Sequence, residues 1–119
     1  MQNHIIKTYF IFLSKDNNII YYIIYMKKYF PYKSDRPDKK YYIITNDNKK
    51  VYFGQASASD FTQHKNEDRK NLYINRHKKN ESKFWNKAGI DTSSFWARFL
   101  LWEKPTIKES YEYIKNKYL

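Results

Sequence analysis

The stretch from Lys50 to Lys79 constrains the fold more than any other part of this chain. It begins with the β-prone residues VYF and turns at Gly54, one of only two glycines in the protein. A loop of small residues follows, and then a polar segment rich in Lys and Arg with the composition of a surface helix. A strand that leads through a loop into a basic helix predicts an α+β fold, with two or three helices packed on a small antiparallel sheet.

The clearest hairpin in the sequence overlaps the start of this stretch. The runs YYIIT (41–45) and VYFG (51–54) are β-prone, and the turn-forming residues NDNKK separate them. The preceding segment, residues 27–40, contains Pro31 and Pro37, and each proline favours an extended conformation in the residue before it. We therefore expect segment 27–40 to be a tether or an irregular edge of the sheet.

Residues 1–25 contain two apolar runs, IIKTYFIFL and IIYYIIY, joined by the turn-forming DNN. Neither run reaches the roughly 18 to 20 apolar residues that span a bilayer, so no membrane span is expected. The runs predict an apolar, β-prone N-terminal strand arm that needs a partner to cover it. Because Met26 opens a plausible protein start, the arm is either an appended segment or an over-extended reading frame, and residues 26–119 form the basic α+β domain.

The helix that carries the basic residues has clear signals at both ends. Ser59 or Asp60 can cap a short turn before it, and Asn66 can cap the helix itself. Acidic Glu67 and Asp68 fall in its first turn, and basic residues fill its last turn. This order places charges of the favourable sign at each end of the helix macrodipole.

Two further helices are predicted after Gly89. The first is capped by Asp91, Thr92 or Ser93, and its apolar residues predict a stripe that packs in the core: Phe95, Trp96, Phe99, Leu100 and Trp102. Pro105 ends this helix. Thr106 and Glu109 then form a capping box for a last helix that runs to about Asn116 and packs through Ile107, Tyr111 and Ile114.

The formal net charge of +11 predicts a polyanionic partner, with nucleic acid first. Between residues 65 and 87 eight bases face three acids. Stabilisation of the helix dipole explains the order of these charges but not their excess. Arg98, expected on the outer side of its helix, adds one further base. The predicted nucleic-acid contacts are Lys65, Arg69, Lys70, Tyr73, Arg76, His77, Lys78, Lys79, Lys83 and Arg98.

Several kinds of chemistry are excluded or disfavoured by residue content. The chain has no cysteine, which excludes disulfides, thiolate zinc sites and cysteine nucleophiles. Two glycines cannot build a P-loop or a GxGxxG loop. His64 and His77 lie 13 residues apart without an HExxH motif, so no zinc site is expected. No motif for a small-molecule substrate is evident.

Most of the chain resembles a family of small basic proteins encoded by mimivirus-like giant DNA viruses. The resemblance covers about residues 27–115 and is carried by RHKKNE (76–81) and by the FW-R-LLW-KPT pattern (95–106), together with SDFTQHKNEDR (59–69). It does not extend to residues 1–25. The resemblance implies a viral protein of the virion or of the viral factory in the host cytoplasm, where long DNA must be compacted.

A second resemblance concerns the hairpin alone. KYYIITN (40–46) followed by KVYFGQ (50–55) is similar to the hairpin of GIY-YIG nucleases, although Lys40 stands in place of the first glycine and Phe53 in place of isoleucine. In that family two tyrosines, a helix arginine and a later metal-binding glutamate form the active site. The resemblance therefore implies a set of catalytic candidates, with Mg²⁺ as cofactor: Tyr42, Tyr52, Arg69 or Arg76, and Glu81.

Together these features predict a protein that binds double-stranded DNA without sequence specificity and has an architectural role in viral genome compaction or packaging. Phosphate contacts by Lys and Arg supply affinity without reading sequence. The alternatives are a metal-dependent GIY-YIG-like nuclease and a virion structural or adaptor protein. For the architectural DNA-binding protein and for the virion protein alike, the apolar arm predicts self-association. No cofactor is expected unless the protein is a nuclease.

Overall fold

A computed structural model describes residue 23 and residues 25–119 of the chain. This part of the chain consists of a three-stranded antiparallel sheet and a set of helices. The strands lie in the order β1-β2-β3: Tyr32–Lys33, Lys39–Ile44 and Lys50–Gln55. The α-helices are α1 (Phe61–His64), α2 (Glu67–Glu81), α3 (Ser93–Trp96) and α4 (Ile107–Tyr118). The predicted α+β fold and hairpin are confirmed.

The chain forms two compact units. Among the described residues, one unit comprises those up to Phe30 together with Ile43–Lys50, and the other comprises Pro31–Tyr42 together with Val51–Leu119. Within the first unit, the backbone N–H of Tyr29 donates to the carbonyl of Ile44 at 2.9 Å. The predicted β-prone arm lies outside the described residues except at Ile23 and Tyr25, which are helical rather than extended.

The two faces of the sheet carry different aromatic groups. Tyr32 of β1 pairs with Tyr42 of β2, and the ring centroids of Tyr42 and Tyr52 lie 5.4 Å apart. Because successive side chains of a strand point to opposite faces, Tyr41 and Phe53 belong to the other face, where their rings stack at 6.0 Å. Phe53 also contacts Trp96 of α3 at 6.1 Å. This second face is therefore the one that the α3 helix covers.

Helix α2 begins as its sequence predicts. The side chain of Asn66 accepts a hydrogen bond from the backbone N–H of Arg69 at 3.0 Å. Asp60 caps the short helix α1 by accepting from the backbone N–H of Thr62 at 2.9 Å. Two short 3₁₀ segments, Ser82–Phe84 and Lys87–Gly89, follow α2 and lead the chain back towards α3.

Helix α3 departs from its prediction in form but not in packing. Thr92 caps it, and after Trp96 the α-helix gives way to a π-helix at Ala97–Leu101. Such wide turns are rare and often lie next to functional sites. The predicted core stripe is confirmed, because its members are all buried: Phe95, Trp96, Phe99, Leu100 and Trp102.

Helix α4 starts at the predicted cap, where Thr106 accepts from the backbone N–H of Glu109 at 3.1 Å. It continues to Tyr118, two residues beyond the predicted end, and buries Tyr111 and Ile114. Among the described residues, no helix combines the length and the apolar character that a bilayer crossing requires.

Candidate functional site

A cavity of about 680 Å³ is lined by α2, by the end of β3 with the loop that follows it, and by α3 with its π-helical extension. Its volume lies within the roughly 300–1,000 Å³ that is usual for sites of small ligands. Helix α2 contributes six residues, of which Glu81 is the last. The other five have the i, i+3, i+4, i+7 and i+8 spacing of one helix face: Arg69, Leu72, Tyr73, Arg76 and His77.

Arg69 and Arg76 supply positive charge on the α2 side of the cavity. Both side chains are exposed. No ion pair or hydrogen bond joins either guanidinium to another residue in the part of the chain that the structure describes. The two residues are two helical turns apart, about 10 Å along the axis. This edge of α2 is therefore available to an anion.

A chain of hydrogen bonds fixes His77, which also lines the cavity. Nδ1 of His77 lies 2.5 Å from Glu81 Oε2, and the hydroxyl of Ser94 donates to Glu81 Oε1 at 2.7 Å. The indole N–H of Trp85 donates in turn to Ser94 Oγ at 3.1 Å. An ionised carboxylate can only accept, so Nδ1 of His77 carries a proton, and Nε2 is the remaining acceptor when the ring is neutral.

Glu81 is ionised in this network at neutral pH. Its partial burial opposes ionisation, but the hydrogen bonds from Ser94 and His77 outweigh that cost and lower the pKa of Glu81. The carboxylate is thus a fixed negative partner for His77. A histidine oriented in this way is suited to hydrogen bonding or proton transfer with a bound group.

The floor of the cavity is aromatic. Tyr73 and Trp102 are buried and lie parallel, with ring centroids 4.2 Å apart. Burial raises the pKa of the Tyr73 phenol to about 12, so the ring is neutral. Gly54 completes the wall with φ +80°, and a Cβ built there would lie 2.8 Å from Leu101 Cδ1. A larger residue at this position would be strained and would clash with the floor.

The wall formed by β2 and the loop before α1 holds a buried ion pair. Nζ of Lys40 lies 2.6 Å from Asp60 Oδ2 and donates a second bond to Gln63 Oε1 at 2.8 Å. Asp60 is therefore already neutralised within the wall. In the described residues, no three His, Asp or Glu side chains are grouped to hold a metal ion.

The central part of the chain is similar to a sequence family. Residues 32–77 match a family described as "Family of unknown function (DUF5754)". The matched segment contains the whole sheet and α2 as far as His77, but it excludes Glu81 and Ser94. No curated protein and no solved structure is significantly similar to the chain.

Six of the ten predicted nucleic-acid contacts are exposed in the structure. Four lie on α2 (Arg69, Arg76, Lys78 and Lys79), and Lys65 and Lys83 flank the helix. The ammonium group of Lys65 donates to the carbonyl of Thr62 at 2.8 Å, and that of Lys83 lies 5.2 Å from the Phe84 ring. These two contacts leave both lysine side chains exposed.

The other four predicted contacts are engaged within the protein. Tyr73 is stacked on Trp102, and His77 is held by Glu81. Lys70 donates to the carbonyl of Glu103 at 2.8 Å and covers the Phe61 ring. The prediction that Arg98 lies on the open side of its helix is wrong. Its guanidinium is largely buried, 3.0 Å from Glu103 Oε1 and 4.9 Å from the centre of the Phe99 ring.

The candidate nuclease residues do not meet in one place. Arg69, Arg76 and Glu81 line the cavity. Among the described residues of β2 and β3, the cavity is lined by Lys39, Lys40, Phe53, Gly54 and Gln55, whereas Tyr42 and Tyr52 are not among its lining residues. The Tyr52 hydroxyl instead donates to Asp35 at 2.6 Å. Alternation along β3 places the side chain of Tyr52 on the face opposite that of Phe53.

Sequence reasoning missed the part of the site that comes from distant segments. Ser94 and Trp85 orient the His77–Glu81 pair, and Lys40 and Asp60 form the opposite wall. One sequence signal could have indicated the α2 side of the site. An apolar pair within a basic stripe at helical spacing marks the edge of a packed helix face, and this pattern is present in Arg69, Leu72, Tyr73, Arg76 and His77.

Proposed function

We propose that this protein binds double-stranded DNA without sequence preference through an exposed basic face. This basic face consists of Lys65, Arg69, Arg76, Lys79 and Lys83. Ion pairs with phosphate would release condensed counterions, and such contacts carry no information about base sequence. In the giant-virus setting that the sequence resemblance implies, this binding would serve compaction or packaging of the genome.

The observation that carries the proposal is the exposure of Arg69, Arg76 and Lys79 along one side of α2. At about 100° per residue, the three fall within about 80° of the helix circumference. None of their charged groups is paired with an acid among the described residues. Lys65 precedes the helix and Lys83 follows it, which extends the row at both ends.

Helix-dipole stabilisation does not account for this row. Basic residues improve stability only near the C-terminal turn, and each contributes about 0.3–1 kcal/mol. Arg69 lies in the first turn of α2, where the dipole disfavours a cation. A negatively charged partner would offset the unfavourable interaction of Arg69 with the helix dipole.

A gel-shift experiment with long duplex DNA tests the proposal. The triple variant Arg69→Ala, Arg76→Ala, Lys79→Ala is compared with Lys33→Ala, Lys87→Ala, Lys108→Ala, whose residues are also exposed and whose charge change is identical. We expect the first variant to lose most of the retardation and the second to keep it. Equal losses would mean that net charge acts alone and would contradict the basic face.

The same experiment, run with and without Mg²⁺ and scored for cutting, addresses the nuclease alternative. Retardation without cutting supports binding alone. Mg²⁺-dependent cutting that Glu81→Ala abolishes would replace the proposed function with a nuclease.

A further inference from the structure

The cavity beside the basic face has positive charge that its own walls do not neutralise. Its two carboxylates are engaged, Asp60 by Lys40 and Glu81 by His77 and Ser94. Arg69 and Arg76 have no such partner among the described residues. A concave site with surplus charge of one sign concentrates ligands of the opposite sign. The charge balance therefore points to an anionic ligand.

The chemical form of these cations favours phosphate. Each guanidinium presents a planar fork of N–H donors that matches the oxygens of a phosphate group. Arg69 and Arg76 stand about 10 Å apart along α2, and their long side chains can converge on one group between them. His77, held through Nδ1, can donate from Nε2 to the same phosphate when its ring is protonated.

The remaining lining suits a flat apolar group. Leu72 lies between the two arginines on α2 and is 62% exposed, one of three large hydrophobic side chains in the described residues with such exposure. The buried side chains of Phe53 and Leu101 line the cavity together with the floor formed by Tyr73 and Trp102. An apolar floor, an exposed leucine and a cationic rim in one cavity of about 680 Å³ match a ligand that carries both a ring and a phosphate.

We propose that this cavity binds a nucleotide through its phosphate, with the base placed against Leu72 and the aromatic floor. The ligand is either a free mononucleotide or the phosphorylated end of a nucleic-acid strand, since both present the same groups. This site goes beyond duplex binding and does not require it, although Arg69 and Arg76 belong to both surfaces.

Calorimetric titration with adenosine 5′-monophosphate, adenosine and inorganic phosphate tests the site. We expect saturable binding of the monophosphate, with adenosine and inorganic phosphate each at least tenfold weaker. Absence of saturable binding at millimolar monophosphate would overturn the proposal. Equal affinity for adenosine and its monophosphate would also overturn it, because the arginines would then play no part.

Two variants that each remove one positive charge distinguish binding in the cavity from general electrostatic attraction to the basic helix. Arg76→Ala removes a cavity residue, and Lys78→Ala removes an exposed base of the same helix that does not line the cavity. Loss of a charge-assisted pair predicts at least tenfold weaker binding of the monophosphate by Arg76→Ala. Lys78→Ala should change it less than twofold. Circular dichroism confirms folding of both, and equal losses would contradict a built site.

A short single strand with a 5′-phosphate, compared with the same strand ending in a hydroxyl, identifies the source of the ligand. Tighter binding of the phosphorylated strand would identify the phosphorylated strand end as the ligand. Equal binding of the two strands, together with binding of the monophosphate, would identify the free nucleotide as the ligand. The test is independent of the proposed function. If the protein binds the monophosphate but does not retard duplex DNA, the cavity proposal holds and the proposed function fails. If it retards duplex DNA but does not bind the monophosphate, the cavity proposal fails and the proposed function holds.

Discussion

The indole ring of Trp102 lies parallel to the phenol ring of Tyr73, with ring centroids 4.2 Å apart and an interplanar angle of 5°. The two residues come from different segments, the end of the π-helical turn and the middle of α2. His77 contacts the Tyr73 ring at 4.3 Å. The stack therefore fixes the position of α2, and with it Arg69 and Arg76, against the α3 segment.

Removal of the indole should destabilise the fold. Trp102→Ala deletes a large buried ring and is expected to lower the free energy of unfolding by about 3–5 kcal/mol. Tyr73→Phe is the control, because it keeps the stacked ring and the described residues offer its hydroxyl no hydrogen-bond partner. It should cost less than about 1 kcal/mol. Urea unfolding of both variants provides the measurement, and equal costs would contradict the stack.

Tyr73 should also make stability depend on alkaline pH. Its folded pKa of about 12 lies above the ordinary tyrosine value of 10.0 because burial opposes ionisation. The unfolded chain therefore loses this proton first, and the stabilising effect is complete below pH 10 and lost as pH rises towards 12. The loss amounts to roughly 2–3 kcal/mol. Burial also raises the pKa of Tyr41 and of Tyr111, so the free energy of unfolding should fall in both proteins across this range. It should fall by roughly 2–3 kcal/mol more in the wild type than in Tyr73→Phe, and equal decreases would contradict the prediction.

Local signals in the sequence were sufficient for the elements of the fold. Asn66 and Thr106 cap the helices that they were predicted to cap, because a cap depends on residues three positions apart. The β2–β3 hairpin follows in the same way from turn residues between two β-prone runs. The aromatic stripe of α3 was identified as core because periodic apolar residues must be covered.

Tertiary pairing was not available from local patterns. Arg98 was expected to face outwards by helical periodicity, but the π-helical turn changes that periodicity after Trp96. Glu103, five residues later, then becomes its ion-pair partner. The His77–Glu81–Ser94–Trp85 chain likewise joins segments whose approach is set by packing. The cavity was missed for the same reason.

Arg98 should matter for stability and not for DNA. Arg98→Met leaves the carboxylate of Glu103 largely buried without its ion-pair partner and is expected to cost about 3 kcal/mol. The salt dependence of duplex binding should not change. Lys108→Met on the exposed side of α4 provides the same change in charge with little effect on stability. If the slope of log K against log salt for duplex binding became less steep by about 0.9 in Arg98→Met alone, Arg98 would be shown to contact phosphate.

The number of phosphate contacts made by the basic face can be measured from salt dependence. If all five residues (Lys65, Arg69, Arg76, Lys79 and Lys83) contact duplex DNA, log K against log salt should have a slope near −4.5, at about −0.9 for each contact. Replacement of Arg69, Arg76 and Lys79 by alanine leaves two contacts and should reduce the slope to about −1.8. The charge-matched variant at Lys33, Lys87 and Lys108 keeps all five contacts and should retain the steeper slope. Fluorescence anisotropy with a labelled duplex of mixed sequence gives both values. A wild-type slope near zero, or strong preference for one duplex sequence over another, would contradict binding through phosphate.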